Sequence, residues 1–129
     1  MKENILGIKI FKPLEAAFAF AITPPNSRLW IPGIVDEETS EWPVRPGTVY
    51  RLKNTDGEWS EVAVKQIESN NLVEWEVAEG TYFCRYDFKR LSPTTCQLDY
   101  REWVTAGTID NPFTQETLDR LKSAIEESA

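Results

Sequence analysis

Residues 111–129 read NPFTQETLDRLKSAIEESA. Asn111 is a favourable N-cap, and Pro112 suits the first helical position, where its missing N–H would have no partner anyway. No Gly or Pro interrupts the run that follows. Leu118, Leu121 and Ile125 fall on one stripe, with Phe113 and Ala124 at its edges, while Glu116, Asp119, Lys122 and Glu126 take other faces. The stretch predicts an amphipathic helix with a narrow apolar side. Nearly everything between Thr48 and Val104 reads as strand. A mostly stranded chain that closes on such a helix predicts a curved antiparallel sheet gripping its C-terminal helix, with a pocket between them.

The upstream residues complete the pattern. Residues 5–11, ILGIKIF, are rich in β-branched side chains and read as a strand. Pro13 opens a helix whose apolar stripe is Leu14, Ala17, Phe18 and Ala21, and Thr23-Pro24-Pro25-Asn26 ends it. A brief second helix over 26–30, capped by Asn26 or Ser27, stops at Pro32-Gly33. Residues 34–40 read as a short acidic strand, and 41–47 as a loop holding Trp42 and Arg45. Strands follow at 48–54, 58–68, 72–77, 81–91 and 94–104, with turns at Thr55-Asp56-Gly57, Ser69-Asn70-Asn71, Glu79-Gly80 and Ser92-Pro93. The order is β-α-α-β, then five strands, then α, in one α+β domain over 1–129. Short turns make the strands antiparallel neighbours.

Composition narrows the function. The chain has 129 residues, 41% hydrophobic and 27% charged, enough for a core of its own. Five Trp residues require burial in a core or around a cavity. A net charge of −7 without a Lys/Arg cluster argues against nucleic acid and against an anionic membrane surface. The absence of His removes His metal sites and Ser-His or Cys-His nucleophile pairs. Cys84 and Cys96 are too few for a thiolate zinc site or a disulfide scaffold, so neither metal nor cofactor is expected. Lys9, Lys12 and Glu15 interrupt what would be the core of a signal peptide, and no run is long enough to insert in a membrane. A cytoplasmic protein is expected.

The chain resembles the START-like superfamily, also called SRPBCC or helix-grip. The likeness is nearest to small bacterial proteins grouped with polyketide cyclases and dehydratases. It is carried by KPLEAAF at 12–18, WIPG at 30–33, GTVY at 47–50 and LVEW at 72–75. YDF at 86–88, Thr94-Thr95 and Leu121-Lys122 continue it, so it spans nearly the whole chain. The resemblance implies a strongly bent antiparallel sheet around the terminal helix with a cavity between. It also implies binding of hydrophobic small molecules, with cyclisation or dehydration in some members and chaperone activation in others. The superfamily shares no single catalytic set, so no catalytic role carries over.

Alternation places Tyr82, Cys84, Tyr86 and Phe88 on one face of their strand, and Cys96, Leu98 and Tyr100 on one face of the next. Trp75 shares a face with Val73 and Val77, Tyr50 joins from 48–54, and Trp30 and Trp42 lie on covering segments. With Leu118 and Leu121 of the last helix, these are the candidate ligand-binding residues. Hydroxyls and indole N–H groups around an apolar hollow suit a ring system with a few polar atoms. The same side chains can also simply fill a core.

Glu102 has inward parity beside Tyr100 and is the candidate acid or base. Two other readings compete: a bulge that turns Trp103 in and Glu102 out, or a pairing with an Arg. Most strand carboxylates are solvated, which favours these two. Glu74 and Glu76 read as the wet face of their strand. Arg45 and Arg51 are placed to hold an acidic ligand group near the mouth, although the parity of Arg51 points it to solvent. Three functions remain: a binding module for a small hydrophobic or amphipathic molecule; a cyclase/dehydratase-like enzyme using a pocket Tyr or Glu; and a protein-interaction domain, such as a homodimer through Trp42 or Trp59.

Overall fold

The computed structural model describes residues 2–77 and 80–128. The elements are β1 (Glu3–Ile10), α1 (Leu14–Ile22), a 3-10 turn (Asn26–Leu29), β2 (Ile34–Thr39), β3 (Val49–Asn54) and β4 (Trp59–Glu68). They continue as β5 (Leu72–Glu76), β6 (Tyr82–Ser92), β7 (Thr95–Val104) and α2 (Gln115–Glu127). All seven strands form one antiparallel sheet ordered β1-β7-β6-β5-β4-β3-β2. This is the expected α+β helix-grip arrangement. The turn expected at Glu79-Gly80 falls on Glu79, outside the described residues.

Strands β2 to β7 are neighbours in chain order. The first strand instead pairs with the last, so residues 11–33 must carry the chain from one sheet edge to the other. On that path α1 packs against β6, β7 and α2, and buries Leu14, Ala17, Phe18 and Ala21. The ladder register aligns inward residues in rows. One runs Leu6, Tyr100, Tyr86, Val73; the next runs Asn4, Glu102, Cys84, Trp75, Val64. Register shifts at Ile34/Asp36, Val64/Gln66 and Arg90/Ser92 add twist where the sheet curls.

α2 lies beside β1 and buries Leu118, Leu121 and Ile125 completely. Its start differs from expectation. Thr114, not Asn111, caps the helix and accepts from the Thr117 N–H, while Asn111 sits in the left-handed region at φ 53°. The Phe113 N–H is drawn instead to Glu102 Oε2 at 2.8 Å. An N-cap takes extended backbone, which Thr114 has at φ −109° and Asn111 does not. Nor do the Asn26 or Ser27 side chains cap the 3-10 turn; Ser27 turns to Glu37.

One further expectation changes. Glu74 is only 6% exposed, because Arg85 and Lys65 close over it on the convex face. Cys84 stands opposite Glu102 and Cys96 opposite Arg90, six positions apart on β6 and roughly 20 Å along the strand. Both thiols are free.

Replacing Leu121 by Ala should cost about 2–5 kcal/mol, since the side chain is fully buried and packed on several sides. Urea unfolding followed by tryptophan fluorescence measures it.

Candidate functional site

The concave face is not filled from end to end. Between the 3-10 turn, β2 and the middle of the sheet lies a partly open cavity of about 190 Å³. Tyr50, Trp75, Tyr82, Tyr86 and Tyr100 line it, as does Phe113 from the segment before α2.

The rings form a connected wall. Tyr50 meets Trp75 edge to face at 5.6 Å, and Trp75 meets Tyr86 at 4.9 Å. Tyr86 then lies 5.7 Å from Tyr100, which stacks on Phe113 at 4.9 Å. Such contacts hold each ring at a set angle. The wall therefore exists before any ligand arrives.

Hydrogen bonds fix two tyrosine hydroxyls. Tyr50 donates to the Ile22 carbonyl at 2.7 Å, joining β3 to the end of α1. Tyr82 donates to Glu102 Oε1 at 2.8 Å. The indole N–H of Trp75 is buried and has no hydrogen-bond partner among the described residues. Burial raises the pKa of the Tyr50, Tyr82, Tyr86 and Tyr100 hydroxyls, so all four are neutral donors at ordinary pH. Burial also pushes the Cys84 thiol up to about 12, with the Glu102 and Glu74 charges adding to it. Cys84 is therefore a poor nucleophile.

Of the other candidates, Trp30, Leu98, Leu118 and Leu121 are buried in the packed core behind or beside the cavity, and none lines it. Trp30 supports the wall, with its ring 6.2 Å from Tyr86 and 5.7 Å from Phe113. Trp42 stands 55% exposed over a separate apolar groove with Phe18, Val44 and Ile67. Trp59, on the other face, is covered in part by Arg51 and Lys53. Arg45 pairs with Glu41, and Arg51 with Glu38 and Glu61; neither reaches the cavity.

Glu102 fits neither competing reading. β7 pairs regularly with β1 through this region, so no bulge turns the side chain out. The side chain is 1% exposed, and among the described residues no Arg pairs with it. Its oxygens accept from the Asn4 side-chain amide at 2.9 Å, from Tyr82 OH and from the Phe113 N–H. These donors occupy the carboxylate in joining β1, β6, β7 and the approach to α2.

The carboxyl on the cavity wall is a different one, Glu37, which the sequence reading passed over. In an unbroken strand Glu37 shares the parity of Val35, which is exposed, and opposes Ile34. The register shift between Ile34 and Asp36 reverses that phase, so Ile34 and Glu37 both face in. Glu37 is 8% exposed. It accepts from Ser27 Oγ at 2.8 Å and from the Ser27 N–H at 3.2 Å. Burial raises its pKa above the ordinary carboxylate value, the Ser27 bonds oppose that rise and Asp36 adds to it. No single-sequence rule marks this bulge; the acidic run Asp36-Glu37-Glu38 looks like a solvated edge.

The curled sheet, the gripped helix and the hollow between them define the START-like, helix-grip fold. No protein-family model matches the chain, and no curated protein sequence does. Solved structures match closely in fold. The Aha1 dimer from Colwellia psychrerythraea superposes with a TM-score of 0.75 at 18% identity, over 98% of each chain. A START superfamily protein from Mycobacterium smegmatis gives 0.71 at 17% identity, over 98% of this chain and 95% of the other. Norcoclaurine synthase from Thalictrum flavum, solved with a transition-state analogue, gives 0.67 at 12% identity, over 98% and 92%. At these identities the likeness is one of fold. Among the described residues no helix is long and apolar enough to cross a membrane, and no cluster of His, Cys, Asp or Glu has metal-binding geometry.

Two outcomes follow from the carboxylates. Glu102→Ala leaves the Asn4, Tyr82 and Phe113 donors without their acceptor and should lower stability by about 3 kcal/mol in urea unfolding. Glu37→Gln should act in the opposite direction and depend on pH. The folded state holds the Glu37 proton more tightly than the unfolded chain, so wild-type stability falls as pH rises above the ordinary carboxylate value of 4.5. The Gln variant lacks that loss. Its melting temperature should match wild type near pH 4, exceed it increasingly as pH rises, and then keep a constant lead.

Proposed function

We propose that this protein binds a small amphipathic molecule, built on a single ring, in the cavity between the curled sheet and the helices. The hollow itself carries the reading: α2 and α1 fill part of the concave face and leave about 190 Å³ against a wall of rings. A dry cavity of roughly 150 Å³ is enough to hold benzene, so this one suits a ring with a short tail. The tyrosines that line the cavity give polar atoms of the ligand hydroxyls to bond. The START superfamily protein and the ligand-bound norcoclaurine synthase share the architecture, which supports the reading.

A second reading rests on Glu37. A carboxyl with a raised pKa inside a cavity is suited to general acid–base work, so a cyclase- or dehydratase-like reaction would use Glu37 beside Tyr86 rather than Glu102. Binding is the step common to both readings, and it is the one to test first.

Titration of the 15N-labelled protein with single-ring ligands such as phenol, 2-phenylethanol and phenethylamine should give saturable shifts clustered around Trp75 and Tyr86. Ala21→Phe, which places a ring in the cavity from α1, should weaken binding at least about tenfold while the fold is retained. If none of these ligands gives saturable shifts up to about 10 mM, where affinities of a few kcal/mol are still visible, the binding reading is wrong.

A further inference from the structure

Glu37 is the only acidic side chain lining the cavity among the described residues, and no Lys or Arg lines it. Its two oxygens accept only the pair of Ser27 bonds. A carboxylate offers about four acceptor sites, so about two remain open. Of the arginines on neighbouring segments, Arg51 pairs with Glu38 and Glu61 and Arg45 with Glu41, while Arg28 is exposed and does not line the cavity. A buried carboxylate without a cation is costly. Aromatic rings share the lining with it, and such rings can attract positive charge.

We propose that the ligand is a protonated primary amine bearing one ring, with its ammonium on Glu37 and its ring against Trp75 and Tyr86. This deepens the binding reading and rests on it. The ammonium supplies the missing counter-charge and donors for the open acceptor sites. Tyr50 and Tyr86 line the same cavity as Glu37, and its charge acts on both hydroxyls. The other charged group acting on Glu37 is Asp36, also negative. An anionic ligand meets repulsion from both. The cavity volume is enough for the ring and short tail of phenethylamine.

The test compares phenethylamine with 2-phenylethanol, which differ in the amine alone, by calorimetry or NMR titration on wild type and Glu37→Gln. Wild type should bind the amine about tenfold to a hundredfold more tightly than the alcohol, the usual range for a charge-assisted bond. In the Gln variant that ratio should fall close to one. Equal affinity for the two ligands in wild type overturns the amine assignment and leaves the binding reading standing. A preference that survives in Glu37→Gln also overturns it, because the ammonium then sits elsewhere. If neither ligand binds, the cavity reading falls and the amine assignment with it.

Discussion

The structure depends on one buried acceptor. Glu102 takes hydrogen bonds from Asn4 on β1, from Tyr82 on β6 and from the Phe113 backbone just before α2. It thereby joins the first strand, a central strand and the last helix at a single point. Neutral donors can hold a buried carboxylate when enough of them converge, and each such bond is stronger in a low dielectric than it would be in water. Phe113 is held there by its own N–H, and its ring then stacks on Tyr100. Thr114, with extended backbone, caps the helix just beyond that bond, while Asn111 takes a left-handed conformation. Where the ring wall ends is thus a consequence of one carboxylate.

The two inward carboxylates show how differently one residue type behaves on one face. Glu102 accepts from three donors on separate segments and acts as a structural joint. Glu37 has a single partner residue, Ser27, and faces open volume. Burial acts on Glu37 with no cation to offset it, which leaves the group sensitive to whatever enters the cavity. The convex side handles its buried charge in a third way. Glu74 lies beneath Arg85 and Lys65, and the stacked pair Phe83 and Trp103 beside it carries a cation over each ring. Cations therefore reinforce the outside of the sheet while the cavity holds none.

Much of the fold could be read along the chain. Alternation over β6 and β7 placed Tyr82, Tyr86, Phe88, Leu98 and Tyr100 on one face, and the ladder puts Tyr86 opposite Tyr100 and Phe88 opposite Leu98. The α1 stripe and the α2 stripe are buried as their spacing indicates. The site was legible only in part, because parity says which side a residue faces and not whether that place is filled. Leu98, Leu118 and Leu121 have the same inward signature as Tyr86 and meet packed neighbours instead of a hollow.

What the sequence by itself determined is therefore periodic: which residues form strands, which face of each strand is apolar, and which helical stripe must be covered. These follow from backbone geometry repeating every two or 3.6 residues. Only the tertiary structure decided what breaks a period or joins distant segments. The shift between Ile34 and Asp36 turned Glu37 inward, the Phe113 N–H met Glu102 across the molecule, and the helices stopped short of filling the curl. Each is a balance between a local preference and a contact made across the molecule, and no local pattern records the second term.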